Sequence, residues 1–150
     1  MFNRILIPVD GSPTANKALA AALQLARESG GRVRLVHSFD ALAHLTGYEY
    51  GGELMKECRA YAGKVLQDAQ EIARAAGVPA DTKLVEEPGQ RLGDQVAGEA
   101  RRFEADLIVV GTHGRRGIGR VLLGSGAEQV IRQAPVPVLA IRGEDEQKTR

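Results

Sequence analysis

Two features of this sequence carry residue types suited to chemistry. Asp10 follows directly on the apolar run Ile5-Leu6-Ile7-Pro8-Val9, and a glycine-rich stretch from Gly111 to Gly126 follows Leu107-Ile108-Val109-Val110. The stretch reads Gly111-Thr112-His113-Gly114, then nine residues, then Gly124-Ser125. Glycines let a backbone approach an anion closely and present its N–H groups, as a phosphate requires. Gly124-Ser125 stands where a helix is expected to begin, and a helix N-terminus adds unpaired donors and a partial positive charge. Arg115, Arg116 and Arg120 bring three cations to the same stretch, suited to a polyphosphate. His113 lies among them, either as a further contact to phosphate or as a solvent-facing spacer. On these residues the stretch reads as an anion-binding loop.

A plainer reading stands beside it. Gly111 and Gly114 can serve a simple strand-to-helix turn, and Ser125 with Glu128 matches a capping box. Gly126 either loosens the first turn of the helix or admits a phosphate more closely, and both readings stay open. Two other phosphate motifs are missing from the sequence. There is no Gly-Lys-Ser/Thr of a P-loop, and Leu122 stands where Gly117-Ile118-Gly119 needs a third glycine for a dinucleotide fingerprint. Asp10 has the chemistry of a general base or a metal ligand, but no second carboxylate or nucleophile stands near it in sequence. Ser12 reads as a helix cap rather than a nucleophile, because no His-Asp pair accompanies it to activate it.

These residues need elements to position them, and the pattern supplies an alternation of strands and helices. Ile5 to Val9 reads as the first strand. Ser12-Pro13 is an N-cap with proline at the first helical position. Ala15, Ala18, Leu19, Ala22, Leu25 and Ala26 recur at helical spacing until Gly30-Gly31. Val33 to His37 is the second strand, and Phe39 to Gly52 lacks a period and reads as a loop. A long apolar stripe from Leu54 to Ala76, with Cys58 and Tyr61 on it, predicts the second helix. Thr82 to Val85 is a third strand, and Leu92, Val96 and Ala100 mark a shorter helix. Leu107 to Val110 is uninterrupted, as a central strand covered on both faces requires. Ala127, Val130, Ile131 and Ala134 give a last helix. Val136 to Ile141 is a last strand, which Pro135 and Pro137 confine to a sheet edge. Five strands interleaved with four helices imply right-handed crossovers onto a mostly parallel sheet. In such a sheet ligands gather beyond the carboxyl ends of the strands, where the strand order reverses. Asp10 and the glycine-rich stretch both fall at such ends.

The bulk properties narrow the function. A chain of 150 residues suits one domain over positions 1–150, with 143–150 as a loose polar tail. The net charge of +1 speaks against duplex nucleic acid as the main partner. No apolar run is long enough for a membrane helix or a signal segment, and one cysteine fits a reducing compartment, so the expected location is cytoplasmic. Cys58 on the apolar stripe reads as a small buried hydrophobe. His37 at a strand end reads as a satisfied, partly buried histidine, while His44 has no partner in view. Three scattered histidines and one cysteine do not make a zinc site. Tyr48 and Tyr50 read as packing or as a cover over the sheet edge.

The Gly-x2-Gly-x9-Gly-Ser spacing after a hydrophobic strand resembles the ATP-binding signature of the universal stress protein family. The likeness runs along nearly the whole chain. Ile5 to Ser12 resembles the family's opening strand and Asp turn, Leu35-Val36-His37 the end of its second strand, and Pro135 to Leu139 its last. The resemblance implies a single-domain, Rossmann-like three-layer sandwich with a five-stranded parallel sheet in order 3-2-1-4-5. It implies that Asp10 meets the ribose, that Pro8 and Val9 also belong to the nucleotide site, and that the backbone near Ser38 meets the adenine edge. Gly111, Gly114, Gly124 and Ser125 would hold the phosphates, with His113, Arg115 and Gly126 beside them. The cofactor implied is ATP, with ADP and AMP as alternatives, with or without Mg or Mn. A homodimer through Val136 to Ile141 is the implied assembly.

Three functions remain to be weighed. A stress-response module would bind ATP tightly, turn it over little or not at all, and act through a protein partner. A slow metal-dependent ATPase or adenine-nucleotide hydrolase would use Asp10 and a metal to position water. A vacant dimerisation domain would ignore nucleotides. The glycines and arginines speak against the last, the lack of a catalytic pair against the second, so the binding module leads.

Overall fold

The computed structural model describes residues 1–38, 51–87, 89–112 and 123–143. Along the chain they form β1 (Arg4–Pro8), α1 (Pro13–Ser29), β2 (Arg32–Ser38), α2 (Gly51–Ala75), β3 (Ala80–Val85), α3 (Leu92–Phe103), β4 (Leu107–Gly111), α4 (Ser125–Gln133) and β5 (Val138–Ile141). The five strands make one sheet in order β3-β2-β1-β4-β5, with every pairing parallel. This is the α/β class and strand order that the sequence led us to expect.

The period of two along the strands divides the core into two layers. Ile5, Ile7 and Val9 of the first strand, with Leu107 and Val109 of the fourth, pack against Leu19, Leu23, Val65 and Leu66 of α1 and α2. Leu6, Ile108 and Val110 point the other way, against Val96, Phe103 and Val130 of α3 and α4. Because β1 and β4 are covered on both faces, they read as unbroken apolar runs.

Local chemistry accounts for the ends of α1. Ser12 is its N-cap: the hydroxyl accepts from the Ala15 amide at 3.1 Å, and proline opens the helix. Gly30 closes it at φ 71°, a left-handed conformation that favours glycine. Three boundaries differ from expectation by more than one residue. Gly51 and Gly52 belong to α2, because an end of a 25-residue helix tolerates glycine and Glu53 suits the first-turn dipole. The third strand begins at Ala80, which pairs with Val33. The last begins at Val138 rather than Val136, since prolines 135 and 137 lack amides, although Pro137 still accepts from Ile108 N at 3.0 Å. Of the expected loose tail over 143–150, Gly143 is instead buried, close against Thr14; residues 144–150, and the expected loop over 39–50 with Tyr48 and Tyr50, lie outside the described residues.

Toward the amino ends of the strands, Arg34 bridges Asp81 at 2.8 Å and the buried Glu99 at 2.9 Å. Its guanidinium is held above the ordinary range, first by the hydrogen bond to Asp81. Arg102 takes the other Glu99 oxygen at 2.9 Å, and the Arg4 and Arg34 guanidiniums lie over the Phe103 ring. This ionic cluster stands on the side of the sheet away from the Asp10 end.

Candidate functional site

The strand order reverses between β1 and β4: the chain runs outward from β1 to β3 on one side, then returns to lay β4 and β5 on the other. A crevice opens beyond the carboxyl ends at such a point. The β1–β4 register, fixed by Ile5 with Leu107 and Leu6 with Ile108, carries forward to set Asp10 level with Thr112. Pro8 closes β1 and is half-buried. Ser38 closes β2, opposite Val85. The ends of β2, β1 and β4 therefore stand side by side.

The turn after β1 is tied on three sides. Val9 N donates to Val36 O at 2.8 Å, extending the ladder one residue past the strand. The Val9 side chain is in the α1/α2 core, so that residue offers the crevice only its main chain. His37 Nδ1 stands 2.8 Å from Val9 O; a carbonyl can only accept, so this nitrogen carries the proton. Asp10 Oδ1 accepts from the Ser12 amide at 2.9 Å, and among the described residues it is the engaged oxygen of that carboxylate. Gly11 holds φ 81°, where a side chain would be strained and a Cβ would meet Tyr61 Oη at 3.2 Å. Tyr61 Oη, from α2, donates to Asp10 O at 2.9 Å. His37 is satisfied, as its position suggested, while Cys58 is half-buried rather than fully so.

The exit of β4 is equally close-set. A Cβ on Gly111 would lie 2.7 Å from Thr14 Cγ2 and 3.1 Å from the Thr14 carbonyl. The first turn of α1 thus crosses Gly111 directly, which is one reason for a glycine there. Thr112 N donates to Ile141 O at 2.9 Å, and Thr112 O accepts from Gly124 N at 2.6 Å. This bond ties the residue after β4 to the cap residue of α4. Thr112 is 4% exposed, and its Oγ1 is buried with no hydrogen-bond partner among the described residues.

At the return, Gly124 is the N-cap of α4 and supplies no side-chain bond. Its carbonyl accepts from Glu128 N at 2.9 Å. The plainer capping-box reading does not hold: Ser125 is the first helical residue, one position past the cap, and its side chain is exposed. The first-turn amides of α4 have no acceptor within the helix. Gly126 has a packing reason of its own, since a Cβ there would come within 2.8 Å of Leu92 Cδ2 on α3. The structure thus assembles Pro8, Val9, Asp10, Ser38, Gly111, Gly124, Ser125 and Gly126 at one end of the sheet. His113, Gly114, Arg115, Arg116 and Arg120 lie outside the described residues. Sequence reasoning missed Tyr61, Thr112 and Thr14; only the helical phase of Tyr61 hinted at its place. Among the described residues no three His, Cys, Asp or Glu side chains cluster as a metal cage.

The family model of the universal stress proteins matches residues 1–142. The chain belongs to the universal stress protein family. A family relative from Thermus aquaticus is 34% identical over 144 residues, spanning 95% of this chain and all of that one. A universal stress protein of Archaeoglobus fulgidus, solved in complex with dAMP, is similar at TM-score 0.73 and 27% identity, covering 93% of this chain and 98% of its own. Another family member, solved in complex with cAMP, is similar at TM-score 0.67 and 25% identity, covering 95% and 98%. Members of the family that share this fold therefore bind adenine nucleotides. Among the described residues no helix is long and apolar enough to cross a membrane.

Proposed function

We propose that residues 1–150 form one adenine-nucleotide-binding domain that takes ATP, or its ADP and AMP counterparts, in the crevice beyond β1 and β4. One observation carries this reading: the Asp10 turn, the Thr112 hydroxyl (buried and unpartnered among the described residues) and the first-turn amides of α4 converge at the strand-order reversal. Each end of a nucleotide finds suitable chemistry. The α4 amides, which lack a side-chain cap, suit phosphate, together with Gly111, Gly124, Ser125 and Gly126. From the stretch over 113–122, His113, Gly114 and Arg115 would join them. A carboxylate repels phosphate, so Asp10 belongs at the donor-bearing part of the ligand, the ribose hydroxyls, beside the backbone of Pro8 and Val9. Ser38, at the end of the neighbouring strand, stands where the base would extend.

Among the described residues the donor set does not form a protein cage for a divalent ion, since Asp10 is the carboxylate at the turn and one of its oxygens is already engaged. Mg or Mn would come with the nucleotide, coordinated mainly by phosphates and water. The same engagement of Asp10 argues against a general base, so the protein acts as a cytoplasmic regulatory module with little or no turnover. It acts through a protein partner, as a homodimer joined along Val136 to Ile141, that is, the edge strand β5 and the two residues before it. Leu139, 39% exposed on that strand, supplies apolar surface for the pairing.

The test is the thermal midpoint of ligand-free protein with Mg-ATP, against GTP, AMP and NAD. Ligand at about 100 times its Kd adds roughly 2.7 kcal/mol, about 5–10 °C for a chain of this size. A rise with ATP and not with GTP is expected. No rise with any nucleotide would overturn the proposal.

A further inference from the structure

We propose that Tyr61 is a positioning residue for the nucleotide: it fixes the Asp10 turn so that the carboxylate faces the ribose. The inference rests on the nucleotide reading above and adds to it a residue from α2, remote in sequence from the glycine loop.

The geometry is specific. Asp10 is followed by Gly11, which carries no side chain to brace the turn and sits at φ 81°, a conformation that favours glycine. The carbonyls on both sides of the Asp10 Cα are nevertheless tied. His37 Nδ1 holds Val9 O at 2.8 Å and Tyr61 Oη holds Asp10 O at 2.9 Å. The two rings brace each other, edge to face, with centroids 6.1 Å apart. With the main chain fixed on both flanks, the Ser12 amide at 2.9 Å sets the direction of the carboxylate. Tyr61 is 38% exposed and therefore adds little to the core, although its neighbours Ala62 and Val65 are buried in it. A hydroxyl donating to a turn carbonyl from an exposed helix position serves placement more than stability.

Tyr61→Phe keeps the ring against His37 and removes only the hydroxyl. Titration calorimetry would measure the Kd of wild type and Tyr61→Phe for ATP and for 2′,3′-dideoxy-ATP, which lacks both ribose hydroxyls. The same titrations in an Asp10→Ala background complete the cycle, and melting of each apo protein checks that it is folded. Loss of one hydrogen bond predicts ATP affinity about threefold to tenfold weaker, dideoxy-ATP affinity unchanged, and no effect of Tyr61→Phe once Asp10 is gone. A purely structural role would weaken both ligands alike, and that result overturns the proposal. So does a Tyr61→Phe protein that binds ATP as wild type does, or a wild type that fails to distinguish the two ligands. In those cases nucleotide binding itself stands. A wild type that binds neither removes the nucleotide reading and this inference together.

Discussion

Replacing Gly111 with alanine separates two reasons for a glycine at the end of β4, helix packing and phosphate approach. The added Cβ would lie 2.7 Å from Thr14 Cγ2 and 3.1 Å from the Thr14 carbonyl carbon and oxygen. The first of these atoms ends a side chain, but the others are α1 backbone, anchored two residues earlier by the Ser12 cap and the Asp10–Ser12 bond. The helix therefore yields by only a few tenths of an ångström. Overpacking of this kind costs about 1–3 kcal/mol; at 2 kcal/mol the midpoint of a chain this long falls by roughly 6 °C. Thr14→Ala removes the nearest atom and leaves the milder contacts, so the double variant should recover at least about 1 kcal/mol relative to additivity. Thermal melts of wild type, both single variants and the double variant measure the coupling without any ligand. ATP titration of the recovered double variant then reports what Gly111 contributes to binding. A Gly111→Ala protein that melts with the wild type would refute the packing account and leave ligand approach as the reason for the glycine.

Two other substitutions probe opposite ends of the molecule. Arg34→Met leaves the 1%-exposed Glu99 with Arg102 as its remaining partner; denaturant unfolding should show a loss of roughly 3 kcal/mol, much of it restored by Glu99→Leu in the same chain. Gly124→Val sits at φ −69°, ψ 159°, angles open to any residue, so the apo protein should still melt cooperatively. The branched side chain at the start of α4 should nevertheless abolish ATP binding in the calorimeter, and unchanged affinity would remove Gly124 from the phosphate site.

How much of this was legible in the sequence depended on whether the cause was local. The strands with unbroken apolar runs, the Ser12-Pro13 cap and the Gly30 stop were readable because neighbours within a turn or two determine them. The placement of Asp10 and Gly111 at one end of the sheet followed from strand-helix alternation alone. The start of α4 at Gly124-Ser125 was legible, but not the choice between the two readings there, since Ser125 with Glu128 satisfies the capping pattern while the backbone turns helical after Gly124. Gly126 offered two readings in sequence and has a third reason in the fold, the approach of Leu92 from α3. Contacts across the chain left no local mark. Tyr61 reaches the Asp10 carbonyl over a separation of 51 residues, and on the helical stripe it reads as one more apolar position. The pairing of Glu99 with Arg34, from different elements, was hidden for the same reason.

The most direct test of the central claim is a calorimetric titration of ligand-free wild-type protein with ATP, with GTP titrated in parallel. Saturable binding of ATP at one site per chain, with GTP giving no comparable heat, is the result this account predicts. A flat titration with ATP, from protein that melts cooperatively, would contradict it.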